Sequence, residues 1–494
     1  MKIQSWILAG ALASLSVAAA AQSQAAGKDR AEAVRENIVK RAEALTEEQI
    51  KQSRDLAGLS KLAQVYNAQN DTQRLIWVLR RACELMPNSG DLKLQLALAY
   101  AKVDDKSNAY DTLVRMQMQG FGYDVAHDAR FAPIHGTKVW DYLVANLGNN
   151  AQPFGEGKAA FDLPKGDNAF SALAWDAKRG QFLIGSARDG SVRLADSKGK
   201  LTNFISPNSQ YGLWGVDALG VDADHGKLYI ASSASPLYKA FTAETAGKAG
   251  IFEFDLGSGK LIRKALFAEG SGAHRLTSMV VDKTGQVYAA DGARKQVFKL
   301  EGAGLKEIVT NPKLTGISAL AVSGDGRILY IADFALGIYG YDLAKGQAFE
   351  PAYNAASMVL GGIVDMHWFD NTLTIVQDGM VPKRVMRLAL TKDGHDIAGA
   401  MPLDVAQPPF EALGSGAVVG EKLYFMTNRQ DPFYDSHGVL TDADKLEPVH
   451  VFASNLRFAW GQNGVGAALA PISGDATISH KARGAHAPDD DTKH

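Results

Sequence analysis

Two patterns of hydrophobic and polar residues divide the chain. Residues 28 to about 147 show helical periodicity, with apolar side chains recurring three and four positions apart. From about residue 155 this periodicity stops, and short apolar runs alternate with turns that contain glycine and aspartate. The pattern therefore predicts a multidomain protein in which an α-helical segment precedes an all-β region.

The helical segment repeats itself at an offset of 34 residues. The turn residues Asn70 and Asp71 have counterparts in Asp104 and Asp105. Other residues return as follows: Leu62 as Leu96, Ala63 as Ala97, Tyr66 as Tyr100, Leu79 as Leu113 and Arg81 as Arg115. An offset of 34 is the tetratricopeptide period, and residues 59 to 120 resemble that family. Its members mostly bind peptides or proteins, so the resemblance implies a protein or peptide partner; a structural spacer is the alternative.

The β region contains a unit of three short strands that recurs six times. Successive units are 41 to 60 residues apart, which is typical of propeller blades. The pattern therefore predicts a six-bladed β-propeller, closed by a strand near residues 159–163 that joins the sixth blade. A β-sandwich is the main alternative, but it would not explain the regular triplets. The inner strands are predicted at 172–176, 218–222, 278–282, 319–323, 365–369 and 415–419.

The N-terminus has the features of a secretory signal peptide. Lys2 is followed by an apolar stretch over residues 6–21, which is short for a membrane span, and small residues suit cleavage. We therefore expect export to the periplasm or full secretion, with no membrane span after cleavage. The predicted divisions are a signal peptide at 1–25, a tetratricopeptide-like helical domain at 26–150, a propeller at 155–460 and a disordered tail at 461–494.

Charge and cysteine content narrow the function classes. The 494 residues carry a net charge of −2, so no basic surface for nucleic acid is indicated. Cys83 is the single cysteine, which excludes an intramolecular disulfide. It lies on the apolar side of a helical pattern, and we expect a buried structural thiol.

Two short phrases in the β region resemble a known superfamily. They are Tyr-Ile-Ala-Asp at 330–333 and the similar residues 288–291. They resemble the senescence marker protein/gluconolactonase-type propellers and the related NHL-repeat propellers, over about 160–455. Such a resemblance implies the fold but leaves the activity open, because this architecture includes lactonases, esterases and binding modules.

The lactonases of this superfamily hold one divalent cation at the propeller axis through Glu, Asn and Asp side chains. A calcium or zinc ion is therefore the only cofactor that the resemblance suggests here. Asp217 is the one carboxylate at the matching positions, and Asp365 is one residue out of register unless a bulge shifts it. The six matching positions hold Ser171, Asp217, Thr277, Ser318, Val364 and Gly414.

Propeller topology places the starts of inner strands and the ends of second strands on one face, around the central funnel. We expect this rim to bind a small molecule or a peptide. Asp residues there could instead cap turns, and His274 is a general-base candidate only if a carboxylate orients it. The rim candidates are Trp214, Asp217, His274, Arg275, Asp291, Asp333, Asp365, Asp378, Asn428 and Arg429.

Two functions remain open from the sequence. The first is an exported binding propeller with a helical interaction module, supported by the lack of a complete catalytic set. The second is a divergent hydrolase of the lactonase or esterase type that uses a divalent cation in the funnel, with Asp217 as its ligand. No catalytic residue is assigned, and His367, inside an inner strand, is interpreted as a core histidine.

Overall fold

The computed structural model describes residues 44–207 and 210–458. The predicted signal peptide and disordered tail lie outside the described residues. The described residues form two compact units, 44–114 with 126–141, and 115–125 with the described residues between 142 and 458. Within the described ranges, no helix is both long and apolar enough to cross a membrane.

The predicted helical segment is helical. One pair of helices begins at Leu56 and Gly90, and a second pair begins at Thr72 and Lys106. Within each pair the two starts are 34 residues apart, which equals the offset of the sequence repeat. The helices are α1 (Glu47–Gln52), α2 (Leu56–Ala68), α3 (Thr72–Leu85), α4 (Gly90–Lys102), α5 (Lys106–Met118) and α6 (Lys138–Asn150), with a 3₁₀ helix at Ala129–Ile134.

The repeated turn residues end one helix and begin the next. Asn70 and Asp104 adopt left-handed backbone conformations with φ of 56° and 55°, which Asn and Asp tolerate better than most residues. The next residue in each turn is an N-cap: Asp71 accepts the Arg74 N–H at 3.1 Å, and Asp105 accepts the Asn108 N–H at 3.1 Å. The sequence pairs thus have the same role in both turns.

Cys83 is partly buried on α3. Burial raises the pKa of its thiol to about 12, so the reactive thiolate is scarce at neutral pH. This environment agrees with a structural thiol rather than a nucleophile.

The β region forms six antiparallel sheets; four are built from consecutive strands alone, and the other two also include an early strand. Blade 1 contains β3 (Phe170–Asp176), β4 (Gln181–Ser186), β5 (Val192–Ala195) and β6 (Leu201–Ile205). Blade 2 contains β7 (Gly215–Asp222), β8 (Lys227–Ser233), β9 (Ala249–Asp255) and β10 (Leu261–Leu266). Blade 3 contains β11 (Leu276–Val281), β12 (Val287–Asp291), β13 (Gln296–Glu301) and β14 (Gly304–Thr310).

The remaining blades follow in the same order. Blade 4 contains β15 (Ile317–Val322), β16 (Ile328–Asp333), β17 (Gly337–Asp342) and β18 (Gln347–Phe349). Blade 5 contains β19 (Ile363–Phe369), β20 (Thr372–Gln377), β21 (Arg384–Leu390) and β22 (Ile397–Val405), joined by β1 (Phe154–Gly155). Blade 6 contains β23 (Gly416–Val419), β24 (Lys422–Met426) and β25 (Val449–Asn455), joined by β2 (Lys158–Leu163).

The six blades close into a ring around their innermost strands. Each of β3, β7, β11, β15, β19 and β23 contacts the innermost strand of the next blade, and β23 contacts β3. The early strand β2 pairs with β25, the last described strand, with Leu163 opposite Val449. The six-bladed propeller and its predicted closing strand are confirmed.

Hydrophobic side chains fill the spaces between neighbouring blades. Between blades 4 and 5, for example, Ala332 and Ile338 pack with Met366 and Ile375, and all four are buried. A single four-stranded sheet cannot bury both of its faces, so this packing stabilises the ring and fixes the inner strands around the axis.

Candidate functional site: the central channel

A cavity of about 850 Å³ lies at the centre of the ring, and residues from all six innermost strands or their entry loops line it. Its wall contains seven titratable side chains: Asp282, Lys283 and Arg429, together with four that belong to blades 2, 3 and 5. Asp217 comes from blade 2, Arg275 from the entry to blade 3, and Asp365 and His367 from blade 5.

The positions that match the lactonase ligands form a ring of backbone irregularities. In five blades the pairing of the innermost strand shifts at this position, which identifies a β-bulge. A bulge changes the direction of a side chain relative to its strand. In all six blades the residue lines the cavity; these residues are Ser171, Asp217, Thr277, Ser318, Val364 and Gly414.

This ring does not suit a resident divalent cation. Asp217 is its only carboxylate, and the described part of the chain contains no group of three or more His, Cys, Asp or Glu side chains that could hold a metal. The residues of the channel therefore do not fit a metal-dependent lactonase mechanism. The three hydroxyls in the ring donate to backbone carbonyl oxygens: Ser171 to Val216 at 2.6 Å, Thr277 to Ile317 at 2.8 Å and Ser318 to Ala332 at 3.2 Å.

Asp217 has an unusual protonation equilibrium. Burial raises the pKa of its carboxyl to about 7, although a hydrogen bond with Ser233 and the charge of Arg275 partly oppose the rise. Its Oδ2 atom is buried and has no hydrogen-bond partner among the described residues. A substantial fraction of Asp217 is therefore neutral at pH 7, and its Oδ2 atom receives no hydrogen bond from the described residues.

Asp365 and His367 form a second polar group in the wall. His367 Nε2 lies 2.7 Å from Asp365 Oδ2, which also accepts the Gly416 N–H at 2.6 Å. Burial lowers the pKa of His367, but the charge and hydrogen bond of Asp365 outweigh this effect, so the pKa is above its ordinary value. Blades 2 and 5 are three places apart in a ring of six, so this pair faces Asp217 across the channel.

Arg275 places a positive charge at the end of the channel where the inner strands begin. Its guanidinium has no hydrogen bond or ion pair with any residue in the described ranges. Phe334 follows β16 at the same end and is 42% exposed. Arg429 also lines this end, but it pairs with Asp431 at 3.0 Å and lies 3.4 Å from Asp378. Arg275 is therefore the more available cation.

Four of the ten predicted rim residues line the cavity: Asp217, Arg275, Asp365 and Arg429. The structure places the other six in the walls and turns around it. Trp214 packs edge-on against Phe252, and the ring centroids are 6.0 Å apart. Asn428 accepts the His450 N–H at 2.7 Å and donates to the Pro448 carbonyl at 2.9 Å.

The predicted aspartates outside the cavity organise turns. Asp333 is fully buried and accepts hydrogen bonds from the backbone N–H groups of four residues. Asp378 accepts the Leu413 N–H at 2.8 Å and pairs with Lys383 at 2.5 Å. Asp291 lies 2.6 Å from His274 Nδ1, so a carboxylate does orient this histidine.

His367 is the channel residue that the sequence interpretation missed. It is hydrogen-bonded to Asp365, as expected of a histidine inside a protein core, but it also lines the cavity. The signal was its spacing: residues two apart in a strand point to the same face. Because Asp365 was a rim candidate, His367 should have been placed beside it.

No protein-family model matches this chain, and no curated protein matches it. Among solved structures, it is similar to the PQQ-bound aldose sugar dehydrogenase from Streptomyces coelicolor, with 15% identity, 61% of this chain and 99% of that chain covered, and a TM-score of 0.40. Virginiamycin B lyase from Staphylococcus aureus shows 13% identity, coverage of 55% and 81%, and a TM-score of 0.39. A luciferin-regenerating enzyme shows 14% identity, coverage of 62% and 95%, and a TM-score of 0.40. Likenesses at this distance assign no function to this chain.

Proposed function

We propose that this chain is an exported binding protein whose propeller channel holds a small organic ligand with a negatively charged group. The unpaired guanidinium of Arg275 in the channel wall is the observation that carries the proposal. The cavity of about 850 Å³ is within the range of pockets that bind small molecules, roughly 300–1,000 Å³.

The electrostatics of the wall favour a carboxylate as the anionic group. Arg275 can form two parallel hydrogen bonds with a carboxylate, which a single positive point charge cannot. Asp217 also lines the channel, and in its neutral form its carboxyl group can donate a hydrogen bond to the same ligand.

Apolar surface is available to the rest of the ligand. Phe334 lies at the end of the channel near Arg275, and Trp368 lies at the other end. A Cβ at Gly324 would lie 2.6 Å from Trp368 Nε1, so glycine at this position allows the indole to approach the wall. We therefore expect the preferred ligand to combine an anionic group with an apolar or aromatic part.

The helical segment is assigned to partner binding in this proposal. Two features support a tetratricopeptide-like module: the 34-residue recurrence of helix starts and the matching Asn/Asp turns at residues 70–71 and 104–105. Export rests on the charge and apolar pattern of residues 1–25.

Replacing Arg275 with glutamine is expected to remove carboxylate binding without unfolding the propeller, because the side chain is exposed and unpaired. The measurement is a thermal-shift screen of small carboxylates, each beside its uncharged primary amide. A ligand that binds only the folded state raises the unfolding midpoint. We expect at least one carboxylate to raise the midpoint of the wild-type protein and to lose at least about tenfold in affinity in Arg275→Gln.

Arg327→Gln is the matched control, because Arg327 pairs with Asp325 on the surface and does not line the channel. It should bind the same carboxylates as the wild type does. If the carboxylate and its amide bind equally well, or Arg275→Gln binds the carboxylate with unchanged affinity, the proposed role of the channel is wrong.

A further inference from the structure

A serine, a histidine and an aspartate are linked by hydrogen bonds beside the entry to blade 3. Ser271 and His274 lie in the loop between β10 and β11, and Asp291 is the last residue of β12. Ser271 Oγ is 2.9 Å from His274 Nε2, and His274 Nδ1 is 2.6 Å from Asp291 Oδ2. The serine thus meets one ring nitrogen and the carboxylate meets the other.

Asp291 determines which nitrogen of neutral His274 carries the proton. An ionised carboxylate only accepts hydrogen bonds, so the proton lies on Nδ1 and Nε2 keeps its lone pair. Asp291 is fully buried and is held by the Arg275 N–H at 3.2 Å and the Arg294 N–H at 3.1 Å. Phe267 stacks on the imidazole at a centroid distance of 3.7 Å, which fixes the plane of the ring.

Ser271 lies where its hydroxyl can transfer a proton to His274. Its Oγ is also 2.6 Å from the Ala268 carbonyl oxygen, so its single proton has two acceptors within reach. Gly270 and Gly272 on either side have φ of 80° and 93°, a region that favours glycine and permits the sharp bend of this loop. Ser271 is only partly buried, so a substrate can reach it.

The backbone after Ser271 offers two hydrogen-bond donors. The N–H groups of Gly272 and Ala273 have no acceptor among the residues described. In acyl-transfer enzymes, the N–H of the residue after the nucleophile commonly stabilises the oxyanion. The loop therefore contains a nucleophile, an oriented base and unpaired donors within four residues.

We propose that Ser271, His274 and Asp291 form a hydrolytic site for carboxylic esters. Ser271 Oγ attacks the ester carbonyl carbon while its proton moves to His274 Nε2. The carbon–oxygen bond to the alcohol then breaks, and the alcohol leaves with that proton, so the acyl group remains on Ser271. His274 next takes a proton from water, and the resulting hydroxide attacks the acyl carbon. The bond between that carbon and Ser271 Oγ then breaks, the carboxylic acid leaves, and His274 Nε2 returns its proton to Ser271 Oγ.

This site is separate from the ligand site in the channel. Neither Ser271 nor His274 lines the cavity, although the neighbouring Arg275 does. Loss of the serine therefore tests hydrolysis alone, and loss of Arg275 tests channel binding alone.

The test uses the full chain and a biotinylated fluorophosphonate, which reacts covalently with activated serines. We expect one adduct, on the peptide that contains Ser271, and slow turnover of p-nitrophenyl acetate. Ser271→Ala should lose the adduct and reduce the turnover at least about 100-fold, and Asp291→Asn should slow labelling at least about tenfold. Ser258→Ala is the control and should react as the wild type does, because the hydroxyl of Ser258 bonds to Asp255 and not to a histidine.

Asp291→Asn also disturbs a buried carboxylate, so circular dichroism and the unfolding midpoint are measured for each variant. If Asp291→Asn does not fold, the pH profile of wild-type labelling decides instead. Labelling should fall at acid pH, because a histidine base that already carries a proton on Nε2 cannot accept the proton of Ser271. The proposal is overturned if Ser271 stays unlabelled in the wild type, if a folded Asp291→Asn is labelled at the wild-type rate, or if the rate is independent of pH.

Discussion

Replacing Asp333 with alanine is expected to lower the free energy of unfolding by about 4 kcal/mol, since four partly buried backbone donors lose their acceptor at about 1 kcal/mol each. Asp333 is fully buried between the end of β16 and the start of β15. It accepts the N–H groups of Thr315, Gly316, Ala335 and Leu336 at 2.6–3.0 Å, and the Thr315 hydroxyl at 2.6 Å.

Urea unfolding followed by circular dichroism measures this loss. Asp435→Ala is the matched control, because Asp435 also accepts two backbone N–H groups but is 40% exposed at its side chain. Water can replace those bonds, so the control should lose much less stability than Asp333→Ala does. Equal losses of unfolding free energy in the two variants would show that the hydrogen bonds of Asp333 do not stabilise its turn more than exposed ones do.

Asp217→Asn is expected to make the protein more stable than the wild type at pH 8, by about 3 kcal/mol. The pKa of Asp217 is raised from 3.8 to about 7, so between these values the unfolded chain loses its proton first. Wild-type stability therefore falls as pH rises through this window, and the asparagine variant lacks this contribution. Near pH 4 the two proteins should differ little.

The measurement is the difference in unfolding free energy between Asp217→Asn and wild type at several pH values from 4 to 8. Taking the difference removes the contributions of other titrating groups, such as Asp404. Asp435→Asn is the control, and its difference in unfolding free energy should change with pH in the opposite direction. Backbone hydrogen bonds lower the pKa of this exposed carboxyl, whereas burial raises that of Asp217. A difference for Asp217→Asn that does not grow between pH 4 and pH 8 would contradict the raised pKa.

Repetition explains why the fold could be predicted from the sequence. Each blade repeats an inner strand and a second strand at similar spacing. A strand that is hard to recognise in one blade can therefore be placed from its position in the other blades. The same logic identified the ring from Ser171 to Gly414, whose members do meet in the cavity. The bulges themselves were less visible, because they depend on pairing with the second strand rather than on residue type.

The polar sites were harder to predict, because they depend on which strand ends meet in space. His274 and Asp291 were both rim candidates, but nothing local showed that they touch. The register explains their contact: Leu276 is opposite Asp291, so a residue two positions before Leu276 lies beside that carboxylate. Ser271 was missed because a loop serine carries no periodic signal.

Burial of single atoms also could not be read from the sequence. The raised pKa of Asp217 depends on its enclosure by neighbouring blades, and Asp333 resembles Asp217 in sequence context as an acidic residue near a strand end. Only the structure shows that Asp333 is saturated with hydrogen bonds while Asp217 keeps an unpaired oxygen. That difference separates a structural aspartate from a candidate ligand-binding one.

The most direct test of the channel proposal is the dissociation constant of a bound carboxylate at pH 6 and pH 8, measured by titration calorimetry for wild type and Asp217→Asn. Ionisation of Asp217 near pH 7 places a negative charge beside the ligand, so wild-type affinity should fall about tenfold between these values. The asparagine variant should bind equally well at both. A wild-type affinity that does not change with pH, or an equal fall in both proteins, would contradict binding beside Asp217.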